Sequence, residues 1–198
     1  MSIAPAAILA RTDNDAAIVA GVKTAFGVGA CISAMLLSIW GGPKRRIHGL
    51  LWGNGLASFC SLPLGLSRSP TIWVTSGIFS GFFLLWAGIS NKGIWLSKVP
   101  PEVQGRVFAS RYFIAQIASP LGLAIGGPLA DYVFEPAMQK NGFLSGIFGG
   151  LFGTDTGAGF ALQLTLLSCC SILLSIGGYA FKQLRDVEII LPDTESSS

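Results

Sequence analysis

Long apolar runs separated by short polar breaks occupy almost the whole chain. Apolar residues fill 16–40, 71–97, 107–134 and 157–181 with few interruptions, and each run exceeds the roughly 20 residues that an α-helix needs to cross hydrocarbon. A fifth run, 47–66, reads IHGLLWGNGLASFCSLPLGL and contains His48, Asn54 and Pro63; it is taken as a shorter span. A re-entrant segment is the alternative, at the cost of putting the flanking basic clusters on awkward sides. Nothing alternates in the segments of about ten residues that a transmembrane barrel requires. The pattern predicts an all-α membrane protein: a bundle of about five transmembrane helices within 15–182, after an opening segment at 1–14 and before a tail at 183–198.

Composition agrees. Only 12% of residues are charged and 51% are hydrophobic, with a mean hydropathy of +0.62, whereas soluble domains carry roughly a quarter charged residues. The lipid bilayer is the first partner implied. The opening MSIAPAAILARTDNDAA has an apolar patch at 3–9 with no basic residue ahead of it, which makes a poor signal peptide; it reads better as the outer end of an earlier helix.

Charge changes the picture through its placement. Lys44, Arg45, Arg46, Lys98, Arg106, Arg111, Lys182 and Arg185 fall at one set of span ends, eight of the thirteen basic residues. Arg11, Arg68 and Lys140 fall at the other, and Lys23 and Lys92 lie within spans. The basic side is expected to be cytoplasmic, which puts the carboxyl terminus inside a cell (inner or plasma) membrane. The 135–156 connection then faces outward, and its FLSGIFGGLFG either lies on the membrane surface or folds back onto the bundle. The net charge of +3 is a topology signal, and no nucleic acid is implied. Cys31, Cys60, Cys169 and Cys170 all sit inside expected spans and read as small apolar residues.

Small residues recur every four positions in two spans: Gly21, Ala25, Gly29 and Ser33, then Gly49, Gly53, Ala57, Ser61 and Gly65. Such flat faces let helix backbones approach closely in lipid; they suit static packing and also helices that slide or rock. Pro120 and Pro128, with Gly126 and Gly127, interrupt the 107–134 run and predict a bent or partly unwound helix. In KVPPEVQGRVFASR, 98–111, the prolines end one helix and start the next. Glu102 lies in the first turn, where the helix dipole favours a carboxylate, and Arg106 is four residues on, within ion-pair reach.

VPPEVQGRVFASR followed by PLGLAIGGPLAD resembles the turn and penultimate helix of the carboxyl-terminal half of major facilitator superfamily permeases, in particular the exporter branch of macrolide and siderophore efflux proteins. GVKTAFGVGACISAMLLSIWGGPKRRIHG resembles that family's eighth helix and the basic loop after it. The resemblance implies that the spans are helices eight to twelve and 3–11 the outer end of the seventh. It implies a secondary-active, proton-coupled exporter of small amphipathic molecules working by alternating access, and a companion amino-terminal six-helix half as partner.

Polar groups inside spans are the default contacts for a small-molecule substrate: Lys23, Asn91, Lys92 and Gln116, with Gln163 a further buried amide. Both lysines could instead snorkel to the nearest interface. Lys44, Arg45, Arg46, Glu102, Gly105, Arg106 and Arg111 are the candidates for coupling through the cytoplasmic loops. No catalytic motif, metal set or cofactor loop is present: His48 is the one histidine, and the glycines form no phosphate-cradling loop. A non-transporting scaffold that binds a partner through its flat helix faces is the competing reading.

Overall fold

The computed structural model describes residues 3–12, 14–43, 45–186 and 188. All its regular elements are helical: α1 (Ile3–Arg11), α2 (Ala16–Trp40), α3 (Arg46–Leu66), α4 (Pro70–Lys98), α5 (Pro101–Leu129), a π-helical turn (Ala130–Phe134), α6 (Glu135–Met138), α7 (Ser145–Phe152), α8 (Ala158–Ala180) and α9 (Lys182–Arg185).

Four of these paths are long and apolar enough to cross a membrane: α2, α4, Pro101–Met138 and α8. The protein is therefore helical and fits an integral membrane protein. The remaining helix counted from the pattern, α3, has 21 residues, enough for about 30 Å, but it does not reach the apolarity of the other four. Its position explains why it can be more polar. It is wedged between α4 and α8, where a side chain on Gly53 would strike Ala87, one on Gly49 would strike Ser90, and one on Gly65 would strike Ala161 and Thr165. A helix shielded by neighbours does not need an apolar surface all round.

The helix boundaries follow local chemistry. Asp15 caps α2 by accepting from the Ala17 N–H at 2.9 Å, and Gly41 ends it in the left-handed conformation at φ 77°. Pro70 and Pro101 occupy first-turn positions of α4 and α5. The 98–111 stretch is therefore a tight hairpin with only Val99 and Pro100 between helices. Among the described residues no ion pair joins Glu102 to Arg106, and both are exposed.

Apart from Gly21, which has open space around it, the glycines of the four-residue repeats lie on contact faces. Ala25, Gly29 and Ser33 are buried on α2, with Gly29 pressed on the Ile78 carbonyl of α4 and Gly81 of α4 pressed on Phe26 of α2. A cluster of Ile8, Val19, Val22, Leu64 and Trp73 ties α1, α2, α3 and α4 together at one end, and the Trp73 indole donates to the Ser67 carbonyl at 3.0 Å. The 135–156 connection folds back onto the bundle through Phe152, which packs with Met138, Ala158, Ala161 and Leu162; Phe143, Ile147 and Leu151 stay exposed.

Helix α5 behaves differently from the others. Gly126 is its one buried residue, and its apolar side chains from Tyr112 to Leu129 are largely exposed. Pro120 lies inside the helix without ending it, and the irregular turn begins two residues after Pro128. At this place the Gln163 side chain of α8 donates to the Gly126 carbonyl at 3.1 Å. The carboxyl-terminal end of α5 is thus tied to α8 while the rest stands off.

Candidate functional site

The standing-off of α5 opens a cavity of about 570 Å³ between α1, α3, α4, α5 and α8. Its wall carries six serines: Ser58, Ser61, Ser80, Ser119, Ser168 and Ser171. Most of these lie near the middle of their helices, so the cavity sits at mid-depth of the bundle. No lining residue is charged. Ser61, Ser80 and Ser168 donate to carbonyls of their own helices, at 2.8, 3.2 and 2.9 Å, and keep oxygen lone pairs free to accept. Ser58, Ser119 and Ser171 form no such bond among the described residues, so they can both donate and accept. The cavity can satisfy hydroxyl, ether or carbonyl groups of an uncharged molecule while its apolar wall takes the remainder.

Lys23 is the closest charged candidate. It lines a smaller cleft of about 220 Å³ between α1, α2, α3 and α4, which shares Ala4, Leu64 and Ser80 with the serine-lined cavity. Asn91, Lys92, Gly105 and Arg111 come together elsewhere, in a cleft of about 680 Å³ between α4 and α5. Gln116 is exposed on α5 and lines none of these spaces. Gln163 is buried, 3% exposed, but its amide serves the α5 backbone. Of the loop candidates, Arg46 donates to the Gly93 carbonyl at 2.6 Å; Arg45, Glu102 and Arg106 are exposed; Lys44 lies outside the described residues.

The two ends of the bundle are closed by carboxylates on helix N-termini. At one, Glu135 accepts from Gly157 at 2.6 Å and Gly159 at 2.9 Å, capping α8. Arg11 donates there to the carbonyls of Gly65 (2.7 Å) and Phe152 (3.1 Å), and Arg68 pairs with Asp155 at 3.1 Å. Burial and then the nearby Arg68 charge lower the Arg11 pKa, and Glu135 opposes them. At the other end Glu188 accepts from the backbone N–H groups of Arg46 (3.1 Å) and Ile47 (3.3 Å), capping α3, and His48 Nδ1 lies 3.1 Å from the Tyr179 hydroxyl.

Sequence reasoning missed the serine-lined cavity. The available signal was serine at span centres, twice at three-residue spacing (Ser58 and Ser61, Ser168 and Ser171). It also missed the Glu135 and Arg11 cluster, because charges at span ends read as orientation signals. No family model, curated protein or solved structure matches this chain.

Proposed function

We propose that this chain forms the carboxyl-terminal half of a secondary-active, proton-coupled exporter of small amphipathic molecules, residing in the cell membrane with its carboxyl terminus in the cytoplasm. The observation that carries the reading is the uncharged, serine-lined cavity at mid-depth, bordered by a helix that stands apart from a closely packed block. Alternating access needs one group of helices that moves against another around a central site. Here α2, α3, α4 and α8 meet through glycine and serine contacts that admit no side chain, and α5 is held chiefly at its carboxyl-terminal end. A companion six-helix half would cover the exposed α5 face, Gln116 included, and would supply the carboxylate for the proton, since no acidic residue lies at mid-span.

The test is efflux of a fluorescent amphipathic substrate from cells expressing the chain together with its companion half. Ser119→Trp fills the cavity and should reduce efflux at least tenfold at unchanged abundance, whereas Ser38→Trp, on an exposed position of α2 outside the cavity, should not. Undiminished efflux with Ser119→Trp would remove the cavity from the substrate path.

A further inference from the structure

The cleft between α4 and α5 has a chemistry unlike that of the serine-lined cavity. Lys92 and Arg111 are the charged residues on its wall, and no Asp or Glu lines it. Neither cation has an ion-pair partner among the described residues. They lie on long apolar helices, Lys92 six residues before the end of α4 and Arg111 ten residues after the start of α5, about 9 and 15 Å along the helix axes from the turn that joins them. An uncompensated cation on an apolar helix is costly wherever it meets hydrocarbon.

The surroundings keep both charges available. The Arg111 guanidinium stacks 4.2 Å above the Trp95 ring, which fixes its plane and leaves its N–H edge open for a fork-like anion. The Asn91 amide and the Tyr112 hydroxyl, also on the wall, form no hydrogen bond among the described residues and can donate. Gly88 and Gly105 face open space, with nothing within 4 Å of where a Cβ would stand. The missing side chains are what keep the cleft wide, and Phe108 and Leu96 supply an apolar wall.

We propose that this cleft binds a phosphate group through Lys92 and Arg111, carried either by an anionic phospholipid headgroup or by a soluble phosphate ester. The site is independent of whether the protein exports anything.

The test uses the purified full chain in nanodiscs. Native mass spectrometry compares retention of phosphatidylglycerol with phosphatidylcholine, and calorimetry measures binding of inorganic phosphate and glycerol phosphate. Two cations near a membrane surface favour an anionic headgroup by roughly thirtyfold, so wild type should prefer phosphatidylglycerol by at least about tenfold. The doubly substituted Lys92→Gln, Arg111→Gln chain should lose the preference, and Lys182→Gln, at the same end of the bundle, should keep it. Gly105→Leu, which fills the cleft without changing its charge, should lose it as well. Binding of the lipid alone identifies a headgroup site; soluble phosphate that binds and displaces the lipid identifies a solute site. Wild type showing neither a lipid preference nor phosphate binding would overturn the proposal, as would full preference in a well-folded double variant.

Discussion

Gly29 and Gly53 show at residue scale how much of this fold depends on missing side chains. Leucine at Gly29 would have to occupy the place of the Ile78 carbonyl, and leucine at Gly53 the place of Ala87. Each substitution should lower stability by about 3 kcal/mol, through overpacking and lost dispersion contacts. Gly146, with open space around it, should tolerate leucine within about 0.5 kcal/mol. Detergent melting of the three variants checks this, and equal melting would mean that the first two faces do not bear on neighbours. Glu135→Gln removes the charge from two bonds at the N-terminus of α8 and should cost about 2 kcal/mol. Arg68→Gln breaks only an exposed pair, with side chains 56% and 66% exposed, and should cost less than about 1 kcal/mol. The glycine repeats of α2 and α3 were legible because they recur at four-residue spacing. Their counterpart on α4, Ser76, Gly77, Ser80 and Gly81, was not, because SGIFSG sits among bulky aromatic residues that obscure the small face.

At the scale of elements, α3 and α5 are mirror cases. Helix α3 lacks a stretch as apolar as those of the other four long helices yet is among the most enclosed; α5 is apolar along its carboxyl-terminal half yet almost wholly exposed. Hydropathy reports what a helix could face, and neighbours decide what it does face, so the pattern located both helices without telling which one the bundle encloses. The same limit explains the two amides. Gln163 and Gln116 look alike in sequence, but Gln163 is on the face of α8 that meets α5, and Gln116 is exposed on α5. Gln163→Leu removes the one side-chain bond from α8 to the α5 backbone near Pro128. It should increase hydrogen exchange in 126–134 by an order of magnitude, about what a bond worth 1 to 1.5 kcal/mol controls, while exchange in α4 stays unchanged.

At the scale of the whole molecule, most helix ends and the hairpin prolines were legible, since each depends on local sequence. The serine-lined cavity and the α4–α5 cleft were not, because each exists only in the gap left where helices fail to close on one another, the cavity between helices distant in sequence and the cleft between two consecutive ones. The proposed sidedness, with the basic end in the cytoplasm, predicts that single cysteines introduced into a cysteine-free chain label at 45 only from the cytoplasm and at 142 only from outside. Labelling of 142 solely after permeabilisation would reverse the orientation. The proposed transport activity is tested most directly by substrate efflux from proteoliposomes under an imposed proton gradient, with this chain alone and with the proposed companion half. The account predicts efflux only when both halves are present. Robust efflux from the chain alone would contradict the two-half reading, and none with both halves present would contradict transport itself.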